Sequence, residues 1–260
     1  MFLPMNKNKN KNKIKNNFFK PSEQKSLSFD VYNDREFADS YSNKAEYNSH
    51  NALYERPAML SMLNDIKGKK VLDAGCGPGL HSSVLIDRGA DVTAVDYSGE
   101  MVRHTLEATE GKARVLQTDL NLPLDMFEDE EFDVVFSSLT VHYVNDWIKL
   151  FSEFNRILKQ NGYIVFSTHH PFMDFSFHSD GNYFETELLT DDWPSYNVKM
   201  KFYRRSLGEI FWILKNTGFE LVELSEPRPV KECGEKFPDA YNTLTRKPWF
   251  IIFKIKKSDK

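Results

Sequence analysis

Cysteine is scarce in this chain: only Cys76 and Cys233 occur. Two cysteines cannot build a disulfide framework, which fits a reducing compartment, and the chain is expected to be cytoplasmic. Long apolar runs are missing as well. None reaches the roughly 18 residues that a membrane span requires, so no span is expected. The N-terminus, MFLPMNKNKNKNKIKNNFFK, has neither an apolar h-region nor a small-residue cleavage site, so no signal peptide is expected. Positive charge is short everywhere except at the start. The first 25 residues hold seven lysines and one glutamate, yet the whole chain carries −4, so the remainder is strongly acidic. Nucleic-acid partners need a basic face that displaces counterions, and an acidic body argues against them. Residues 1–25 are read as a disordered, solvated Lys/Asn-rich tail. Internal repeats are absent too.

Against these absences stands a regular alternation. KKVLDAG (69–75), DVTAVDY (91–97), ARVLQTD (113–119), FDVVFSSL (132–139) and GYIVFSTH (162–169) are short β-branched runs, as buried strands require. Amphipathic stretches separate them. In 145–160, Trp147, Leu150, Phe151, Phe154, Ile157 and Leu158 fall on one helical face. Asn145 or Asp146 is placed to cap that helix, and Asn161-Gly162 to stop it in the left-handed region. A further helix over 206–217 ends at Gly218 and is followed by FELVELSEP and later PWFIIFKIKK. The βαβ order predicts a doubly wound, mainly parallel α/β sheet. Residues 26–67, helical around EFADSY and NALYERPAMLSML, are expected to cover it. Residues 171–205 are too long for a simple connection and too rich in aromatics for disorder, so a lid or hairpin cap is expected.

VLDAGCGPGL (71–80) clusters three glycines after the first strand, where doubly wound sheets bind ligands. A dinucleotide turn, G-x-G-x-x-G, needs its third glycine at residue 80, and residue 80 is leucine. Here the third glycine is Gly79, and Asp73 precedes the first by two residues. That pattern suits a ligand without phosphates that carries positive charge near the turn, and it disfavours a dehydrogenase. Asp96 ends the second strand, 21 residues after Gly75, where a carboxylate can accept two hydrogen bonds from a vicinal diol or cap the next helix.

In these motifs the chain resembles the class I S-adenosylmethionine-dependent methyltransferases, in particular the small-molecule type-11 group, over about residues 35–255. VLDAGCGPG matches the first motif almost letter for letter, which implies that Asp73, Gly75, Gly77 and Gly79 contact the methionine moiety, with Cys76 a small residue packed inside the turn. VDYSGEM matches the second-strand motif, implying Asp96 on the ribose hydroxyls, Tyr97 beside the adenine and Met101 close by. QTDLNLPL matches the third, implying Asp119 at the adenine amino group and Leu120 at the ring; Ser137, ending the fourth strand, is counted with them. The resemblance implies a Rossmann-like seven-stranded sheet with the last strand antiparallel, an N-terminal helical cover and an inserted lid. It implies S-adenosyl-L-methionine as cofactor, with S-adenosyl-L-homocysteine as product.

Methyl transfer from a sulfonium needs alignment and water exclusion, and sometimes a base. His142, after the fourth strand in SSLTVHYVNDW, and His169 and His170, in STHHPF after the fifth, are the candidates, because histidine titrates near neutral pH. No ligand-spaced His/Cys partner follows the paired histidines, so no metal is expected. In the cover, Tyr41 and Tyr54 are candidates to flank methionine or substrate. In the lid, Tyr183, Trp193, Tyr203 and Arg204 are candidates to line a substrate pocket, with Arg204-Arg205 able to hold an acid bidentately.

Two more absences narrow the acceptor. The Asn/Asp-Pro-Pro-aromatic tetrad of adenine and glutamine N-methyltransferases is replaced by SSLT, and neither cysteine follows a proline as in cytosine C5 enzymes. The expected activity is methyl transfer to oxygen or nitrogen of a small molecule by a domain spanning residues 26–260. The alternatives are a tRNA or protein methyltransferase using the basic tail, and a non-catalytic cofactor-binding module. Oligomeric state is not legible.

Overall fold

Strands that are apolar on both faces have to lie inside a sheet covered on both sides, and four of the five expected ones do; ARVLQTD instead supplies an edge strand, with Arg114 and Gln117 exposed and Val115 and Leu116 half-buried. A computed structural model describes residues 27–258; the tail assigned to residues 1–25 lies outside them. In chain order the strands are β1 (Lys70–Ala74), β2 (Asp91–Asp96), β3 (Arg114–Gln117), β4 (Phe132–Ser137), β5 (Leu158–His169), β6 (Glu187–Trp193), β7 (Val198–Arg204), β8 (Phe219–Ser225) and β9 (Phe250–Lys257). Seven of them form one sheet in the order β3-β2-β1-β4-β5-β9-β8, and β6–β7 is a separate antiparallel hairpin. β1 to β5 run parallel, whereas β9, the last strand, is antiparallel to both neighbours. The order reverses at β1, so the carboxyl ends of β1, β2 and β4 open a crevice there.

The helices are α1 (Leu27–Asn33), α2 (Arg35–Tyr47), α3 (Arg56–Ser61), α4 (Leu80–Asp87), α5 (Gly99–Ala108), α6 (Trp147–Ile157), α7 (Pro171–His178), α8 (Leu207–Asn216), α9 (Lys231–Lys236) and α10 (Pro238–Leu244). A π-helical turn, Asn51–Glu55, runs straight into α3. Caps follow the sequence rules. Asp146 accepts from the Lys149 amide at the start of α6, Ser206 from Glu209 at α8, and Gly218 follows α8 at φ +83°. Among the described residues no helix is long and apolar enough to cross a membrane.

The end of α6 departs from expectation. The helix stops at Ile157, and Leu158 to Asn161 are already strand. Gly162 is not left-handed. A Cβ there would lie 2.7 Å from Leu158 Cγ and 2.9 Å from the Asp133 carbonyl oxygen, where the β4–β5 register shifts. The glycine permits a close crossing of two strands and does not end the helix. Residues 171–205 fold as α7 plus the β6–β7 hairpin, and α9 and α10, which the sequence patterns did not reveal, fill the segment before β9.

Candidate active site

The glycine turn leaves β1 and opens α4 with Gly75, Gly77 and Gly79 all at positive φ. Each glycine answers a different constraint. A Cβ on Gly75 would fall 2.2 Å from the Thr140 side chain, and one on Gly79 would fall 2.8 Å from the Thr105 Cα of α5. Gly77 has nothing within 4 Å of that position. It borders an open cleft, as do Gly75, Cys76 and Pro78, but Gly79 does not. Gly79 therefore serves helix packing, a correction to its expected role at the cofactor.

Across the cleft from the turn stands Asp96. Its Oδ2 accepts the Gly77 amide and its Oδ1 the Ser98 amide, both at 2.9 Å, and the Tyr97 backbone adds a third bond, which leaves the carboxylate acceptor capacity for a ligand. Burial pushes this carboxyl up to about 6 despite those bonds. Tyr97, Met101, Thr118 and Leu120 continue the wall as a mostly apolar slot. Three residues expected here point elsewhere. Asp73 is buried under α4, accepts the Ser82 hydroxyl at 2.6 Å, and burial lifts it to about 7. Asp119 is buried and binds the backbone and side-chain amides of Asn121, both at 2.9 Å. The buried Ser137 hydroxyl donates to the Ala74 carbonyl and staples β4 to β1.

A second, wider cavity of about 890 Å³ adjoins the cleft, sharing Tyr32, Tyr41, Asn51, Leu139 and Tyr143 as common wall. Aromatic rings dominate its lining: Tyr41 stacks on Trp193 at 6.3 Å, and Tyr196, Phe202, Trp249 and Phe250 surround them. His142 and His169 stack there at 4.2 Å, and His169 Nδ1 lies 3.5 Å from Asp174 Oδ1. Burial and its neighbour His169 hold His142 well below the usual histidine range, so it is neutral. His170 leaves the opposite face of the strand end and meets Glu226 at 2.9 Å, outside both cavities. The paired histidines thus diverge, and only His169 faces the aromatic cavity.

Four further expectations fail in the cover and the hairpin. Tyr54 is fully buried against Leu244 and Phe250, and its hydroxyl accepts the Trp249 amide. Tyr183 accepts the Leu207 amide and packs on Phe175. Tyr203 lies beside Arg205 and outside the aromatic cavity. Arg204 is 1 % exposed and clamps the carbonyls of Tyr183, Glu185 and Asn182 together with the Glu187 carboxylate. A guanidinium whose two terminal nitrogens are so committed, at 1 % exposure, holds the hairpin together.

Other site residues escaped the sequence reading. The turn after β4 carries Leu139 at φ +46°, a strained conformation for a branched side chain. Its amide donates to Ser167 Oγ, while Thr140 Oγ1 donates to the Gly75 and Ser138 carbonyls. This places Leu139 and Thr140 over the glycine turn. Glu55, Arg56 and His81 also border the cleft.

Residues 72–166 match the family model described as a methyltransferase domain. An S-adenosylmethionine-dependent methyltransferase of Mesorhizobium loti superposes with TM-score 0.66 at 26% identity, over 78% of this chain and 97% of that one. The chain is an S-adenosylmethionine-dependent methyltransferase. A Haemophilus influenzae protein is 26% identical across 88% of this methyltransferase and 98% of its own length. A malonyl-[acyl-carrier protein] O-methyltransferase of Pseudescherichia vulneris is 34% identical over 142 residues, 53% of this chain and 55% of that enzyme. The methyltransferase thus spans about half the length of that relative.

The cofactor S-adenosyl-L-methionine fits the cleft by the chemistry of its walls. Gly77 leaves room for close approach, Asp96 keeps acceptor capacity toward the cavity, and Tyr97, Met101 and Leu120 offer an apolar slot for a flat ring. Among the described residues the cleft has no cluster of basic side chains that would suit a pyrophosphate, and Arg56 is the one arginine in its lining.

Proposed function

We propose that this methyltransferase transfers the methyl group to an oxygen or nitrogen of a small, flat acceptor held in the aromatic cavity, with His169 taking the proton. The observation that carries this reading is the shared wall: the cofactor cleft and the aromatic cavity meet at Tyr32, Tyr41, Asn51, Leu139 and Tyr143. An acceptor stacked among Tyr41, Trp193 and Phe202 would lie next to the cleft mouth, screened from bulk water.

When bound, S-adenosylmethionine supplies an electrophilic methyl on a sulfonium and departs as S-adenosylhomocysteine. Asp96 has acceptor capacity left for the ribose hydroxyls, Gly75 and Gly77 present backbone to the methionine side, and Tyr97, Met101 and Leu120 bracket the adenine. His169 accepts the acceptor's O–H or N–H proton as the new bond forms. Asp174, 3.5 Å from its Nδ1, orients the ring and offsets the positive charge. His142 packs beside it as a neutral ring. The α7 and β6–β7 segment serves as the lid, contributing Trp193, Tyr196 and Phe202.

Incubating metabolite extract with methyl-labelled cofactor and resolving the products tests this. A labelled small molecule, formed equally after deletion of residues 1–25, is the expected result. Label found only in tRNA or protein, and lost with the tail, would replace this reading with macromolecular methylation. Cofactor binding with no transfer to any fraction would favour a non-catalytic module.

A further inference from the structure

The inward face of the β6–β7 hairpin is apolar except at one residue. Side chains alternate along a strand, and Leu188, Thr190 and Asp192 are exposed. Leu189, Asp191 and Trp193 lie on the other face, in register with Phe202, Met200 and Val198. The neighbouring acids are answered by cations: Asp192 meets Lys199 at 3.2 Å, and Glu187 meets the buried Arg204 at 3.4 Å. Asp191 has no lysine or arginine beside it among the described residues. Its Oδ2 accepts the Trp193 indole N–H at 2.9 Å. Its Oδ1 has no donor within hydrogen-bond distance among the described residues, and His178 Nδ1 stands 4.0 Å away, too far for one.

Asp191 lines the aromatic cavity. Burial raises the Tyr143 hydroxyl above the usual tyrosine range and the Asp191 charge adds to that rise, so its field reaches the junction with the cofactor cleft. The other formal charges on the lining are Asp174, set against His169, and Lys44. Lys44 is already committed: its ammonium donates to the Ser195 carbonyl at 2.9 Å and lies 4.2 Å from the centroid of the Tyr196 ring. Of the four histidines there, His50 and His142 are held below the usual histidine range by burial. The uncommitted charge of the cavity is therefore negative, and aromatic faces surround it. Such walls attract a cation through both the carboxylate and the ring quadrupoles, and they repel an acid. The strongly acidic body favours the same sign of ligand during encounter.

We propose that the acceptor is an arylalkyl amine, a flat ring carrying an ammonium group, with Asp191 Oδ1 holding the ammonium beside Trp193 and Phe202 while the group to be methylated meets His169. This rests on the reading of the aromatic cavity as the acceptor site. Asp191 then determines specificity: it selects amines over the matching carboxylic acids, and it orients the Trp193 ring with its other oxygen.

The test is ligand-observed NMR titration of the protein saturated with S-adenosylhomocysteine, using three probes built on one ring: tyramine, p-cresol and 4-hydroxyphenylacetate. Tyramine should bind about tenfold or more tighter than p-cresol, and 4-hydroxyphenylacetate more weakly than p-cresol. Asp191→Asn keeps the side-chain size and an oxygen for the Trp193 indole while removing the charge. It should erase the advantage of tyramine and leave p-cresol affinity unchanged, the latter reporting an intact cavity. Asp191→Glu, which keeps the charge, should keep tyramine ahead. Equal binding of tyramine and p-cresol by wild-type protein, a preference for the acid, or a tyramine preference that survives in Asp191→Asn would overturn the proposal. If wild-type protein binds none of the three probes, the acceptor-cavity reading beneath it falls as well.

Discussion

Two glycines two residues apart should respond to alanine in opposite ways. Gly77 and Gly79 both sit in the left-handed region, at φ +52° and +81°. Placing an L-residue there costs roughly 1–2 kcal/mol. For Gly77 the cost ends there, because nothing lies within 4 Å of the added carbon. For Gly79 the new methyl meets the Thr105 Cα at 2.8 Å, which is backbone of α5 and cannot rotate away. Forcing that helix outward adds about 1–3 kcal/mol of overpacking, so Gly79→Ala should lose roughly 2–5 kcal/mol in all. At about 2–4 °C per kcal/mol for a chain of this size, the Gly77→Ala variant should melt within several degrees of wild type and Gly79→Ala clearly lower. Binding should run the other way. The Gly77 methyl projects into the cleft where the cofactor's sulfonium side is assigned, so S-adenosylhomocysteine affinity should fall at least about tenfold, roughly 1.4 kcal/mol. Gly79→Ala, measured below its own transition, should keep affinity to within a few fold. Urea unfolding and calorimetric titration of the same two preparations decide the matter. A Gly79→Ala protein as stable as wild type, or a Gly77→Ala protein that binds normally, would refute the division of roles drawn from the turn.

Three other expectations are as direct. His169→Asn should lower kcat by about 100-fold or more with little change in cofactor binding, whereas His170→Asn, which loses only the contact to Glu226, should leave kcat within a few fold. Asp96, lifted to about 6, should make S-adenosylhomocysteine affinity rise with pH up to about 6 and level off above it, because only the carboxylate accepts two hydroxyls. The same shift has the opposite sign for stability: the folded carboxyl holds its proton when the unfolded one has lost it, so unliganded stability declines as pH rises from about 4 to 6. In Asp96→Asn the affinity trend should flatten, whereas the stability decline should shrink and persist through Asp73, which burial lifts to about 7; titration and melting across pH 4–8 check both. Arg204→Lys leaves several hairpin carbonyls without donors and should cost about 2–4 kcal/mol, read as lost hydrogen-exchange protection across residues 182–187.

The sheet was legible because its signal is local. β1, β2, β4 and the second half of β5 are short apolar runs whose burial can be read within five or six residues, whereas the edge position that exposes β3 is not local information; caps such as Asp146 and Ser206 sit beside the helices they start. The cleft was legible where its walls come from strand ends, as with Gly75, Gly77 and Asp96. Failures occurred where a distant segment decides. Tyr54 is an aromatic on a helical stretch in any local reading, yet the Trp249 amide and Phe250 of β9 close over it. Arg204 resembles a solvent-facing substrate clamp until the loop preceding β6 folds its carbonyls around it. Asp73 and Asp119 end strands as expected, but Ser82 and Asn121 supply donors that hold them away from the cleft. His142 and His170 illustrate the same limit. Strand-end position was correct for both, and only the three-dimensional neighbours separate a stacked neutral ring from one turned toward Glu226.

The cover joins the two cavities into one device. Tyr32 of α1 and Tyr41 of α2 border both the cleft and the aromatic cavity, and the Tyr32 hydroxyl meets that of Tyr143 at 3.2 Å where the two spaces join. The same helices are tied on the cofactor side to α5. The Ser98 hydroxyl donates to the Tyr32 carbonyl, the Gly99 amide to Asn33, and Arg103 and His104 reach Asp39 at 2.7 and 2.8 Å. On the hairpin side the Ser28 hydroxyl bonds the Lys201 backbone of β7. One short helical segment thus spans from the helix that follows Asp96 to the strand that carries Phe202. Tyr32 and Tyr41 complete the wall of the aromatic cavity only when that segment is seated, and the segment is held by contacts to α5 on one side and β7 on the other. The same two tyrosines therefore wall both cavities, so a change that unseats the segment should open the glycine-turn cleft and the aromatic cavity together.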